Sequence, residues 1–215
     1  MKWPKIYHLP SSPGTSSEDE VLPDTNAFLG REVLITEKLD GECTSLHSDK
    51  IHARSEDSRH HNSRDWVKAL HGKIRWMIPQ HIQVVGENMY AKHTIFYDML
   101  STYFYVFAII DKERGMVLSV DETLRWCKRL DLEYVPILYR GIFPKHFSPP
   151  QKSMFGSKAE GYVVRSVDEF SIDDFTRSIA KWVRKNHVQT DIFWMRNWTA
   201  NRLSISPEVA RIIEN

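Results

Sequence analysis

Long hydrophobic runs are missing from this chain of 215 residues: no apolar stretch reaches the length that crosses a bilayer, and no basic-apolar leader of the secretory kind is present. Cysteine is scarce as well. The only two, Cys43 and Cys127, lie far apart and lack the paired spacing of zinc sites, so both read as thiols in a reducing compartment and no disulfide is suggested. Neither sign of charge is in excess, with 29 Lys plus Arg against 28 Asp plus Glu. A global basic field for nucleic acid is thereby excluded, and any such surface must be local. Self-similarity at a fixed period is absent, which argues against a repeat array. These absences leave a soluble, cytoplasmic or otherwise intracellular protein with no membrane contact, long enough for one sizeable core.

What is present is strand-rich. Residues 10–26, PSSPGTSSEDEVLPDTN, have the composition of a mobile loop, which makes 1–27 a flexible N-terminal segment and starts the folded region near Phe28. A β-prone run over 32–38 precedes a hairpin of 44–47 and 51–54 around Ser48-Asp49-Lys50, and polar residues 55–63 form a loop. Then the period changes. Trp66, Leu70, Ile74 and Met77 fall on one face at helical spacing, with Ser63 as N-cap and Pro79 as stop, so a helix is predicted over 64–78. Buried strands are predicted over 82–87 and 103–110, and 116–120 pairs with the second of them. Ser119 and Glu122 match a capping box that opens a helix with Leu124, Cys127 and Leu130 as its stripe, which makes Cys127 structural. Further strands are read at 135–139, 161–166 and 179–183, between loops at 141–158 and 167–178, and the tail from 187 onward reads as helical, with a fresh start at Pro207. Strands with helices inserted between hairpins make an α+β fold, not an alternating βα one.

The chemistry starts at Lys38. It ends an apolar strand just before an Asp40-Gly41 turn, so its amine is carried on rigid backbone, and partial desolvation or neighbouring cations would let it lose its proton. A nucleophile and an ordinary surface lysine before a turn both fit four residues. Lys38-Leu39-Asp40-Gly41 resembles the nucleotidyl-acceptor motif of the covalent nucleotidyltransferases, and five further segments resemble that superfamily's motifs in the right order. These are His52-Ala53-Arg54-Ser55, Val84-Val85-Gly86-Glu87, Tyr105-Val106-Phe107-Ala108, Glu160-Gly161-Tyr162-Val163-Val164-Arg165 and Ala180-Lys181-Trp182-Val183-Arg184-Lys185. Spanning about 33–188, the resemblance is nearest to the RNA ligases of the second bacteriophage type and their RNA-editing relatives.

It implies a nucleotidyltransferase (ATP-grasp-like ligase) domain over 28–188, built of two antiparallel sheets flanked by helices with ATP in the cleft between them. A short helical tail over 189–215 follows, with no OB domain. By the same resemblance Lys38 attacks the α-phosphorus of ATP to give lysyl-AMP and pyrophosphate; AMP passes to an RNA 5′-phosphate, and a 3′-hydroxyl then seals the strand and releases AMP. Glu37, Lys38, Arg54, Glu87, Phe107, Glu160, Lys181 and Lys185 are the implied ATP-binding residues. Glu160 is the implied ligand of Mg²⁺, with Mn²⁺ as an alternative metal, and a partner protein is an implied source of the missing domain.

The residue types suit those roles. Lys181 can face phosphate and Arg54 can donate to it; Glu87 can accept from ribose hydroxyls; Glu160 is a hard oxygen ligand. Phe107 offers a face for a base, although core packing explains an aromatic there as well. Three positions depart from the family pattern: Ala108 stands where many ligases have an acid, Cys43 where relatives carry Arg or Asn, and Val183 where the second closing lysine belongs. Arg184 or Lys185 replaces that lysine through a bulge, or Lys181 acts alone; on a regular strand Lys181 and Lys185 share a face and Arg184 opposes them. His47, His52, His60 and His61 lack ligand spacing and read as solvated, and Arg59 and Arg64 in that loop are placed to meet RNA phosphate. Rival readings are a DNA-nick ligase, a capping-type guanylyltransferase and a non-catalytic nucleic-acid-binding module.

Overall fold

The computed structural model describes residues 1–58, 60–156, 158–187 and 198–204. Eleven strands among them form two sheets. The smaller comprises β1 (Glu32–Lys38), β8 (Ile137–Ile142), β9 (Gly161–Ser166) and β11 (Ile179–Val183), in the order β11-β9-β1-β8 and antiparallel throughout. In the larger, β2 (Glu42–Leu46), β3 (Ile51–Ala53), β4 (Ile82–Asn88), β5 (Phe104–Asp111), β6 (Met116–Val117) and β10 (Phe170–Ser171) run in the order β10-β6-β5-β4-β2-β3. Only β7 (Glu133–Tyr134) pairs in parallel, with β5. The α+β architecture of two antiparallel sheets is therefore present.

The centre of β1, Val33–Ile35, is apolar on successive residues because both faces of its sheet are covered. Val33 and Ile35 pack with Phe28, Tyr162 and Val164, while Leu34, pointing the other way, meets Val120 and Val167. The larger sheet is covered by α1 (Asp65–Ile74) and α2 (Val120–Leu130), whose Val67, Ile74, Cys127 and Leu130 pack on Val84, Phe104 and Val106. Ser119 does cap α2, its Oγ accepting from the Glu122 N–H at 3.2 Å, while the Glu122 carboxylate accepts from Arg125 Nε at 2.7 Å.

Several boundaries differ from the sequence reading. Ser63 does not cap α1, whose N-cap is Arg64; it lies in a single turn, Asn62–Arg64, with its Oγ paired to His61 Nδ1 at 2.7 Å. α1 stops at Ile74, and Arg75–Met77 continue as a tighter turn. The strand expected over 135–139 starts only at Ile137 as β8, after Pro136, which has no N–H to donate, and runs on to Ile142. The loop expected over 167–178 holds β10 and the short helix α3 (Phe175–Ser178). The tail expected to be helical lies largely outside the described residues, as does Arg59.

Residues 10–26 belong to a strap laid along the smaller sheet. The His8 N–H donates to Glu20, Leu9 to Lys181 and Leu22 to His8, and Gly14 donates to Val183, so the strap runs beside edge strand β11. Leu9 and Leu22 are buried with Phe28 and Ile35. A few apolar side chains and β11's free backbone edge hold a segment whose composition signals none of this.

Candidate active site

Between the sheets lies a cleft of about 1180 Å³. The smaller sheet brings Lys38 at the end of β1 and Lys181 on β11; the larger brings Cys43, Glu87, Phe107 and, just past β3, Arg54. Glu37 and Lys185 also line it, so seven of the eight residues read as nucleotide contacts share one cavity wall. The eighth, Glu160, is fully buried and reaches that wall through an ion pair of 2.7 Å from its Oε1 to Lys38 Nζ.

The local backbone makes this meeting work. Gly41 lets the chain leave β1 hard against β4: a Cβ there would stand 2.6 Å from the Asn88 carbonyl oxygen. Its N–H donates to Glu87 Oε1 at 3.2 Å. The register between β4 and β5 shifts between Val85 and Gly86, one residue before Glu87, and such bulges re-aim the side chains that follow. Gly161 likewise allows β9 to start against β11, since a Cβ would lie 1.9 Å from the Trp182 carbonyl oxygen. Asp40 is pinned rather than merely turning: its Oδ2 accepts from the N–H groups of Thr94 and Ile95 at 2.9 and 2.7 Å.

The electrostatics separate the two lysines. Burial works to lower the Lys38 pKa, but the carboxylates of Glu160, Glu87 and Asp40 outweigh it and hold the amine above the ordinary lysine range. The cation-lowered lysine is Lys181 instead, brought down to about 8 by burial and by the charge of Lys38. Glu87, desolvated and beside Glu160 and Asp40, is pushed up to about 8 and so carries a proton at neutral pH. Burial also raises Glu37, which is almost wholly enclosed, its Oε2 accepting from the Met154 N–H at 3.0 Å. Phe107 is met edge-on by Trp3 from the strap, with ring centroids 5.3 Å apart.

Sequence reasoning missed three contributors. Asp19 of the strap stands 3.7 Å from Lys181 Nζ and 3.4 Å from His8 Nε2, so a carboxylate occupies the neighbourhood where phosphate was expected. The third is His187. Its buried Nε2 stands 3.3 Å from Glu160 Oε1 and 3.6 Å from Asp40 Oδ1, and neither ring nitrogen has a hydrogen-bond partner among the described residues. Asp40, Glu160 and His187 offer three ligand atoms within 4.8 Å of one another, and a buried imidazole with unused nitrogens between two carboxylates fits a divalent cation. Nothing in the spacing of Asp40, Glu160 and His187 announces that cluster.

Other readings resolve plainly. The closing motif needs no bulge: β11 ends at Val183, after which Lys185 lines the cleft and Arg184 does not. Arg64 is tied to Glu42 by two hydrogen bonds, 2.7 Å from Nε and 2.5 Å from Nη2. His47 and His52 are buried and stack on each other at 5.1 Å instead of being solvated. Both cysteines are free thiols, raised by burial.

The RNA ligase family profile matches residues 31–183, most of the chain and nearly all of both sheets. The chain belongs to the RNA ligase family. No curated protein sequence matches it. Among solved structures, it is similar to a Naegleria gruberi RNA ligase mutant with ATP and Mn, at TM-score 0.58 and 16% identity over 85% of this chain and 58% of that one. The same enzyme with PPi matches at 0.58 and 18%, over 85% and 57%. At this identity the likeness shows the fold, and the chain spans less than two thirds of those enzymes. As an RNA ligase family member, this protein adds to the matched region a strap, residues 1–30, that reaches into the cleft through Trp3, His8 and Asp19.

Proposed function

We propose that this protein is an ATP-dependent RNA ligase core that joins 5′-phosphate and 3′-hydroxyl RNA ends through a Lys38-AMP intermediate. The observation that carries the reading is the Lys38 to Glu160 pair of 2.7 Å, at the wall of a cleft lined by the other implied nucleotide residues from both sheets. In this reading 28–188 is the nucleotidyltransferase unit, and a partner protein or further chain supplies whatever RNA-binding domain the reaction needs.

Attack requires a neutral amine. Lys38 starts as an ammonium, and Glu160 Oε1 is the acceptor within reach of its proton. Nζ then forms its bond to the α-phosphorus as the bond to pyrophosphate breaks. Lys181, Lys185 and Arg54 offset phosphate charge, protonated Glu87 donates or accepts at the ribose, and Phe107 and Trp3 enclose the base. Asp40, Glu160 and His187 would hold a divalent cation, Mg²⁺ or Mn²⁺, which when bound supplies positive charge against the phosphates.

Incubation with ATP and either metal, followed by intact-mass measurement, is expected to show the gain of one AMP in the native protein and none in Lys38→Ala. GTP in place of ATP separates a capping-type enzyme, and RNA against DNA ends separates a DNA-nick ligase. A native protein that takes no nucleotide would sink the proposal and favour a binding module.

A further inference from the structure

Beside the cleft lies a second depression of about 680 Å³, lined by Lys92, Lys158, Arg184 and Lys185 with a single acid, Asp98. In a chain with nearly equal numbers of both charges, four cations around one hollow form a local concentration. The hollow is continuous with the cleft, for Thr94, Lys185 and Asn186 line both. Its floor is also the backbone that carries the chemistry: the Arg184 N–H donates to the Glu160 carbonyl at 3.0 Å, and Thr94 donates to Asp40.

Two features point to a polyanion with flat bases. Arg184 Nε is buried and has no hydrogen-bond partner among the described residues. Phe96, on the same rim, is 37% exposed, and the Arg202 guanidinium stands 5.8 Å over its ring. A basic groove with an accessible aromatic is the arrangement that tracks single-stranded nucleic acid, the cations on phosphates and the ring under a base.

We propose that this depression receives the phosphate backbone of the RNA strand whose end is activated in the cleft. The inference rests on the ligase reading for the identity of the strand, while the surface itself is tested without it. The probe is a fluorescently labelled, 5′-phosphorylated single-stranded RNA of about 12 nucleotides, the length one such groove spans. Its binding is followed by anisotropy between about 50 and 200 mM salt. The double variant Lys92→Glu/Lys158→Glu is expected to weaken binding about 10-fold or more and to flatten the slope of log K against log salt by about 1.4, for two lost phosphate contacts. Lys92→Gln/Lys158→Gln, which adds no repulsion and guards against misfolding, keeps the flattened slope with a smaller loss. Phe96→Ala weakens binding at least about fivefold with the slope unchanged.

Unchanged affinity and slope in both double variants, in protein that still acquires AMP on Lys38, overturn the proposal. A polyglutamate peptide that binds as tightly and loses as much on charge reversal overturns the assignment to RNA. Native protein that binds the RNA through these residues yet takes no AMP refutes the ligase reading and leaves the surface standing.

Discussion

Lys38 and Lys181 face the same cleft from the same sheet, yet their surroundings push them in opposite directions. Lys38 sits among Glu160, Glu87 and Asp40 and is held above the ordinary lysine range, whereas Lys181, buried near Lys38 and Arg54, falls to about 8. Glu160, Asp40 and, once ionised, Glu87 outweigh desolvation at one end; at the other Asp19 and Glu160 oppose it and lose. The surroundings thus favour the ammonium form of Lys38, while Lys181 is already close to giving up its charge.

The largest effect should come from Glu160→Gln, which removes the nearest counter-charge of Lys38 and the acceptor of its proton. AMP transfer, followed by mass, is expected to fall by roughly 100-fold or more at pH 7, the scale of a lost acid-base partner. A smaller fall that vanishes at high pH would mean that Glu160 only tunes the amine. Next is Lys181→Met. Loss of one preorganised cation should lower kcat/KM for ATP by about 100-fold. In the native enzyme, kcat/KM should decline as pH rises through about 8, because the free enzyme's Lys181 loses its proton there. Lys181→Arg, which stays charged, should abolish that decline; a profile unaltered by the exchange would break the contrast between the two lysines.

His187→Ala tests the acidic end without touching either lysine. Mn²⁺ affinity, read by electron paramagnetic resonance in the absence of nucleotide, is expected to drop about 10-fold, with loss of any coupling to imidazole nitrogen. Equal affinity in both proteins would exclude His187 as a ligand. The smallest effect belongs to the strap. His8 is lowered to about 4 by burial and by Lys181, against 6.5 when unfolded, so the folded state binds its proton less readily. That contribution to stability is full above pH 6.5 and is lost as pH falls from 6.5 through 4, roughly 1–3 kcal/mol in all. His8→Gln should therefore reduce the difference between urea midpoints at pH 7 and pH 4.5.

Strands with uninterrupted apolar runs and caps with complementary chemistry were legible. β9 and β11 lie where the pattern puts them, and Ser119 caps α2 as the spacing with Glu122 requires. Ser63 misled because a cap is decided by which N–H the oxygen reaches, and the Ser63 Oγ pairs with His61 Nδ1 instead. The collinear motifs brought their residues to one cleft, since short signatures keep the order in which strands present side chains to a ligand. The strap was illegible for an opposite reason. Its Pro, Ser and acids carry no period, and what holds it is a few apolar side chains together with the edge of β11, which is a property of the sheet.

By itself the sequence determined the α+β class, the lysine at a strand end, and the residue types of the motifs. These follow from local periodicity and from motif chemistry, which a chain carries wherever it goes. Only the tertiary structure decided the protonation of those residues. The pKa values of Lys38 and Lys181 depend on which charges lie within a few ångströms in a desolvated cleft, and Asp19, Asp40, Glu160 and His187 reach that cleft from four separate stretches of chain. Distance and desolvation, which set the strength of each charge's influence, exist only once the sheets have closed on each other.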